Sequence, residues 1–119
     1  MPPMGAALGS EKDVENVAHY VLSLSGSTSD PVKSVLGKAK FGACMACHGA
    51  DAKGNQMLGA PNLTDKVWLY GGSADTIMET VRKGRSNTMP AFSDFLGESK
   101  VHVLSAYVWS LSNPQTPVK

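Results

Sequence analysis

The five residues Cys44-Met45-Ala46-Cys47-His48 constrain this chain more than any other feature of its sequence. They contain its only two cysteines, three positions apart, and a histidine follows immediately. Three kinds of site use such a pattern: a zinc site, a redox-active dithiol and a covalent haem attachment site. Each kind makes a different demand on the surrounding sequence, so the surroundings decide between them.

The first two interpretations find little support along the rest of the chain. A zinc site needs four ligands, and beyond the cysteines the chain offers only three histidines, with no second pair at zinc-finger spacing. A thioredoxin-like dithiol stands at the start of a helix that follows a strand, where the helix dipole lowers the thiol pKa. Here the cysteines follow a helical pattern and no βαβ pattern is present.

Covalent haem attachment fits the pattern. Thiols separated by two residues can add to the two vinyl groups along one porphyrin edge, and the imidazole of the next residue reaches the iron. We therefore predict one haem c, attached through Cys44 and Cys47, with His48 as the proximal iron ligand. A haem also supplies the large apolar body that a small core of short helices needs.

The sixth iron ligand decides whether the metal has an open position for a substrate. Met89 lies 41 residues after His48, in a loop stiffened by Pro90, and is the ligand that we expect. Met57, in the loop close to His48, is the main alternative. With one histidine and one methionine the iron is six-coordinate, which suits electron transfer and leaves no site for a substrate.

A metal-bound histidine usually donates its second N–H to an acceptor. The carbonyl group of Pro61, in the loop after the cysteines, is well placed to accept it. The sequence also offers four candidates for holding haem propionates, and it favours none of them over the others: Trp68, Tyr70, Arg85 and Asn87.

Helical periodicity alternates with segments rich in glycine and proline. We expect a first helix over residues 31–46, a short helix around 64–70, a third that is capped by Ser73 and stops at Gly84, and a fourth from about Glu98. No hairpin turn flanked by alternating apolar residues is present. The sequence therefore predicts an all-α fold.

The two ends of the chain resemble each other. Eleven positions are identical when Met1-Pro2, Leu8-Gly9 and residues 11–25 are aligned with Met89-Pro90, Leu96-Gly97 and residues 98–112. We interpret residues 1–25 as the truncated C-terminal helix segment of a preceding, related haem domain, and expect this segment to be mobile or to pack opportunistically. A linker at 26–30, the cytochrome domain at 31–113 and a tail at 114–119 follow.

Charge and hydropathy restrict the partners of the chain. A net charge of +1 leaves no basic excess to neutralise a run of phosphates, so we expect no nucleic-acid partner. No run of about 18 apolar residues is present, and the first residues lack the features of a signal peptide. We therefore expect any membrane anchor or export signal to lie outside this sequence.

Residues 31–113 resemble a class I cytochrome c, and this resemblance implies short helices wrapped around one covalently attached haem. Residues 59–63 resemble the proline loop of that family. Four residues resemble its crossing of the first and last helices, where glycine permits close approach: Gly37, Phe41, Leu104 and Tyr107.

A closer resemblance is to the dihaem subunit family of cbb-type haem–copper oxidases, called CcoP or FixP. Residues 41–49, 59–65, 87–92 and 106–112 resemble its second haem domain, and residues 1–25 resemble the end of its first. The resemblance implies an electron-transfer domain, not an enzyme in isolation, on the periplasmic side of the bacterial inner membrane and tethered by an upstream helix. Its implied partners are the other haem proteins of the oxidase complex and an electron-donor cytochrome.

Two other functions stay open on the sequence alone. A free periplasmic cytochrome c would shuttle electrons between complexes. A haem sensor or peroxidase-like protein would lack Met89 on the iron or release it easily, and its reduced form would bind carbon monoxide.

Overall fold

The computed structural model describes residues 1–114, and these residues form an all-α fold as expected. Its helices are α1 (Gly5–Leu8), α2 (Glu11–Leu24), α3 (Pro31–Lys40), α4 (Gly42–His48), α5 (Ala74–Lys83), α6 (Ser93–Leu96) and α7 (Glu98–Ser112), with a 3₁₀ turn at Gln56–Leu58. Two compact units are present, Met1–Ser86 and a second that begins at Asn87. Of the expected tail, residues 115–119 lie outside the described residues.

Helix α2 supplies much of the core of the first unit. It begins at a capping box, in which the Ser10 hydroxyl accepts the Asp13 N–H and the Asp13 carboxylate accepts the Ser10 N–H. These bonds satisfy donors that the first turn of a helix leaves without partners. The Ser10 hydroxyl and the Ser10 N–H both donate to the Asp13 carboxylate, and these two bonds hold the pKa of Asp13 below its usual value. Together α1 and α2 provide six of the ten buried hydrophobic residues found within 1–114: Leu8, Val14, Val17, Ala18, Val21 and Leu22.

Helices α2 and α3 approach each other most closely at Gly37. A Cβ atom there would overlap the backbone carbonyl of Asn16 and would lie 2.9 Å from Cβ of Tyr20. Phe41, which is 1% exposed, follows one turn later and meets the Tyr20 ring edge to face, with 5.1 Å between the ring centroids. Tyr20, the repeat equivalent of Tyr107, thus packs against Phe41 within the first unit.

Residues 1–25 are packed within the first unit. The Met4 N–H donates to the Val81 carbonyl at 2.8 Å, which joins the leading segment to α5. The Arg82 guanidinium forms two parallel hydrogen bonds with the Glu11 carboxylate, the shorter at 2.6 Å. The leading segment therefore contacts both α3 and α5.

Two of the expected helices differ from the observed ones. The helix expected over 31–46 is broken at Phe41, whose N–H bonds to the Lys38 carbonyl three residues back and so closes α3 before α4 begins. The helix expected around 64–70 does not form. Side chains there bind the backbone instead, since Asn62 accepts the Thr64 N–H and Asp65 accepts the Val67 N–H, and such local bonds compete with a helix.

The other expected boundaries match the structure. Ser73 caps α5 by accepting the Thr76 N–H, and Gly84, with φ +71°, ends it. Helix α7 begins at Glu98.

The second unit contains α6 and α7, joined at Gly97. Many large apolar side chains of α7 are exposed: Val103, Leu104, Tyr107, Val108, Trp109 and Leu111. Across residues 1–114, no helix is both long enough and apolar enough to cross a lipid bilayer.

Replacing Gly37 with alanine should lower the free energy of unfolding of the first unit by about 1–3 kcal/mol, the range measured for overpacked sites. The new methyl group would push α2 away from α3. Urea unfolding followed by circular dichroism would measure the loss. Gly42→Ala is the matched control, because a Cβ at Gly42 meets no atom within 4 Å; equal losses in both variants would contradict a close approach at Gly37.

Candidate functional site

Helix α4 carries the two cysteines and the histidine on neighbouring turns. Cys44 and Cys47 are three residues apart, and Cys44 and His48 are four apart, so all three share one side of the helix. Both cysteines are free thiols; Cys44 is partly buried against the core and Cys47 is exposed. The helix ends directly after His48, at Gly49 with φ +80°.

The environment of Cys44 keeps its thiol protonated. Burial raises the pKa of Cys44, and the neighbouring Cys47 raises it further. Burial has this effect because a thiolate loses its hydration when it leaves water. At neutral pH the Cys44 side chain is therefore a neutral, weakly polar group that packs against the hydrophobic core.

His48 is held by a hydrogen bond within a mostly buried pocket. It is 9% exposed, and its Nδ1 lies 2.9 Å from the carbonyl oxygen of Pro61. A carbonyl oxygen only accepts, so Nδ1 carries the hydrogen and the neutral ring leaves its lone pair on Nε2. Nε2 is the nitrogen that can bind a metal, and the bond from Nδ1 fixes the direction in which the ring points.

The loop after α4 folds back on itself and thereby brings Pro61 to His48. The Gly54 N–H donates to the His48 carbonyl at 2.8 Å. Asn55 and Ala60 then exchange two backbone hydrogen bonds, of 2.9 and 3.0 Å, as a single antiparallel bridge. This bridge sets the position of the Pro61 carbonyl group.

Gly54 is a positioning residue that the sequence pattern does not distinguish from its neighbouring glycines. Its φ is +86°, and a Cβ there would overlap the Ala60 carbonyl and lie 2.8 Å from the Pro61 carbonyl oxygen. That oxygen is the one that accepts from His48. A contact of this kind becomes visible only once the loop has closed, and a lone glycine in a loop gives no signal for it.

The donor set on α4 fits a covalently attached haem. Two free thiols lie one helical turn apart, beside an imidazole whose Nε2 is available. The loop residues that follow expose apolar side chains, which is typical of surfaces that contact an apolar ligand. They are Met57, Leu58, Val67 and Leu69.

The two methionine candidates lie in different units. Met57 is in the 3₁₀ turn of the first unit and is 94% exposed. Met89 belongs to the second unit and is 86% exposed. Of the predicted site residues, the structure therefore brings together Cys44, Cys47 and His48 of α4 with Pro61 of the following loop.

The propionate candidates of the first unit have partners of their own. The Arg85 guanidinium lies 4.2 Å above the ring of Tyr70, and its Nε donates to the Thr80 hydroxyl at 3.1 Å. Trp68 packs against the core next to Gly72. Asn87, the remaining candidate, is in the second unit.

Comparison with known proteins gives a consistent result. Residues 36–108 match the family described as "Cytochrome C oxidase, cbb3-type, subunit III". The chain is 53% identical over 116 residues to the cbb3-type cytochrome c oxidase subunit CcoP of Rubrivivax gelatinosus, which covers 98% of this chain and 38% of that protein.

Relatives from other bacteria agree. Identity is 41% over 110 residues with subunit CcoP of Rhodobacter capsulatus, covering 86% of this chain and 37% of the relative. It is 44% over 108 residues with subunit FixP of Azorhizobium caulinodans, covering 89% and 37%. The chain therefore spans less than two fifths of the length of these curated relatives.

Gly54→Ala should weaken the hydrogen bond between His48 and Pro61. The added methyl group meets the carbonyls of Ala60 and Pro61, so the bridge must open or shift. The imidazole nitrogen chemical shifts of His48, measured by NMR, should report the loss of the donor bond at Nδ1.

Gly59→Ala is the control for this experiment. It imposes the same left-handed strain, since φ is +64°, but its Cβ would meet no atom within 4 Å. It should cost about 1–2 kcal/mol of stability and leave the His48 signals in place. A His48 spectrum that changes equally in both variants would contradict the role of the Gly54 contact.

Alkylation of the haem-free chain should distinguish the two cysteines. Iodoacetamide attacks the thiolate, so the buried Cys44, with its raised pKa, should react several-fold more slowly than Cys47. Raising the pH toward and above the elevated pKa of Cys44 should increase the rate at which Cys44 is alkylated. Peptide mass spectrometry measures both rates, and unfolding the chain in urea should make them similar; similar rates in the folded chain would contradict the assigned environment.

Proposed function

Since this chain belongs to the cbb3-type cytochrome c oxidase subunit III family, we propose that it carries electrons through one covalently attached haem c within an oxidase of that type. The observation that carries the proposal is the arrangement at the end of α4. Two free thiols one turn apart precede an imidazole whose Nδ1 is bound to Pro61 and whose Nε2 is available.

Each residue of the site has a separate task in this proposal. Cys44 and Cys47 would hold the haem through two thioether bonds, and Nε2 of His48 would bind the iron. When bound, the haem supplies an iron that changes oxidation state without a large change in its surroundings. The Pro61 carbonyl orients the His48 ring and increases its electron donation through Nδ1–H.

Met89 would be the second iron ligand in this proposal. Its thioether, together with the imidazole of His48, would raise the reduction potential and leave no open position on the iron. The domain then passes electrons and performs no chemistry on a substrate. Met57 is the alternative, because it is exposed in the loop that follows His48.

The relatives are named as oxidase subunits, and we extend that role to this chain. In the proposal, an electron-donor cytochrome reduces the haem, and other haem proteins of the oxidase complex take the electron onward. We place the domain on the periplasmic side of the bacterial inner membrane. A net charge of +1 agrees with a domain held near its partners, because tethering lowers the need for long-range electrostatic steering.

Covalent attachment is tested by haem staining after denaturing electrophoresis. The wild-type chain, made with cytochrome c maturation factors, should keep its stain, because thioether bonds survive denaturation. The variant with both Cys44→Ser and Cys47→Ser should lose it. A wild-type band without stain would refute the proposed attachment.

The choice between the methionines is tested on the reduced, haem-loaded protein. Met89→Ala should open one coordination position, so that carbon monoxide binds and the reduction potential falls. Met57→Ala should leave the visible spectrum unchanged. The opposite pair of results would assign the ligand to Met57, and carbon monoxide binding by the wild type would favour a sensor or peroxidase-like protein.

Fractionation of the source organism tests the place of the domain. An antibody against this chain should detect a haem-stained band well above 12.5 kDa in the membrane fraction. A soluble haem-stained band near 12.5 kDa would instead indicate a free electron shuttle.

A further inference from the structure

Helix α2 is joined to the start of α3 by a histidine that lies outside the site on α4. Nδ1 of His19, on α2, lies 3.1 Å from the backbone nitrogen of Asp30 and accepts its N–H. Asp30 is the N-cap residue of α3. The half-buried imidazole therefore holds the last residue of the linker at 25–30 against α2.

This hydrogen bond fixes the charge of the ring. A backbone N–H only donates, so Nδ1 of His19 must carry a lone pair, and the hydrogen of the neutral imidazole is on Nε2. An imidazolium carries a hydrogen on both nitrogens and has no acceptor to offer. Protonation of His19 and the bond from Asp30 therefore exclude each other.

The other bonds around the linker do not depend on the ring. The Ser27 N–H donates to the Leu22 carbonyl at 3.0 Å, which holds the first half of the linker on the end of α2. The Ser34 hydroxyl lies 3.0 Å from the His19 carbonyl oxygen and links α3 to the backbone of α2. Loss of the imidazole as an acceptor should therefore affect the linker close to Asp30 and leave the two helices in contact.

The charged groups that face the ring are Glu15, one turn earlier on α2, and Asp30 and Lys33 at the start of α3. The Lys33 ammonium, bonded to Glu15 at 2.6 Å, holds the pKa of Glu15 below its usual value. The backbone N–H groups of Lys33 and Val32 donate to the Asp30 carboxylate and hold the pKa of Asp30 below its own. Both carboxylates therefore stay charged between pH 5 and pH 8, and both attract an imidazolium.

Helix α5 also packs against α2, but on the side opposite the ring. Val17 and Val21 lie in the core with residues of α5. They are two positions before and after His19, which places each of them about 200° from it around the helix axis. The charged residues of α5 are therefore on the far side of α2: Asp75, Glu79, Arg82 and Lys83. Within the cluster that faces Asp30, only the imidazole is of a type that changes its charge between pH 5 and pH 8.

We propose that His19 is a pH-sensitive switch at the joint between α2 and α3. The neutral ring holds the Asp30 amide against α2, and protonation releases this amide and opens the end of the linker. The N-cap of α3 stays in place, because the Asp30 carboxylate keeps its bonds to the first turn. The inference rests on contacts within the first unit and is independent of the haem.

Nuclear magnetic resonance of the haem-loaded full chain between pH 5 and pH 8 tests the switch. At the upper end, the imidazole nitrogen shifts of His19 should be those of a neutral ring with its hydrogen on Nε2. As the pH falls, protection of the Asp30 amide against hydrogen exchange, corrected for the intrinsic rate, should decrease by about fivefold, because one neutral hydrogen bond is lost. The imidazole and amide signals should change with the same midpoint. The amides of Val32 and Lys33, which donate to the Asp30 carboxylate, should keep their protection.

Two substitutions at position 19 separate the charge of the ring from its presence. His19→Asn places an amide oxygen close to the position of Nδ1, and this acceptor does not titrate, so the Asp30 amide should stay protected at every pH. His19→Ala removes the acceptor, so the same amide should exchange rapidly at every pH. His102→Asn is the matched control, since it removes a histidine of α7, and it should leave the pH dependence of the Asp30 amide unchanged.

Three outcomes would overturn the proposal. The first is protection of the wild-type Asp30 amide that stays constant over this pH range. The second is an equal decrease in protection with falling pH in His19→Asn, since the titrating group would then lie elsewhere. The third is an equal loss of protection at Val32 and Lys33, which would indicate fraying of the whole first turn of α3 rather than release of one amide.

Discussion

The hydrogen bond between Nδ1 of His48 and the Pro61 carbonyl is the interaction on which the site depends. It joins the end of α4 to a loop of more than ten residues that has almost no secondary structure of its own. The ring is thereby oriented by the protein before any metal binds. Preorganisation of this kind spares the metal site the entropic cost of fixing its own ligand.

Backbone hydrogen bonds, rather than a hydrophobic core, hold the loop in the shape that places the Pro61 carbonyl group beside His48. The bridge between Asn55 and Ala60 and the bond from Leu63 to Ala52 close it. Ala52 is 1% exposed and has φ +58°, so the loop tolerates a strained non-glycine residue where it packs against the core. The site is therefore rigid at the imidazole, while the apolar side chains of the later loop remain open to a ligand.

Sequence reasoning predicts the parts that depend on local chemistry. The spacing of Cys44, Cys47 and His48 indicates the cofactor, and the cap at Ser73 locates the start of α5 because capping is a short-range effect. The break at Phe41 and the missing helix around 64–70 were not predictable from periodicity, which reports an apolar face and not competing side-chain bonds. The Gly54 contact depends on how the loop closes on Ala60 and Pro61, and the packing of residues 1–25 on α5 joins parts of the chain that are distant in sequence, so no local pattern reveals either.

The packing of α2 on α3 has a consequence for the order in which the protein forms. Only residues 25–30 separate the two helices, so their contact is local and closes quickly. During synthesis the ribosome completes this helical pair before the cysteines and the final helix have been made. Helix α4 therefore emerges beside a helical pair that has already formed, so the core against which Cys44 packs exists before the cysteine does.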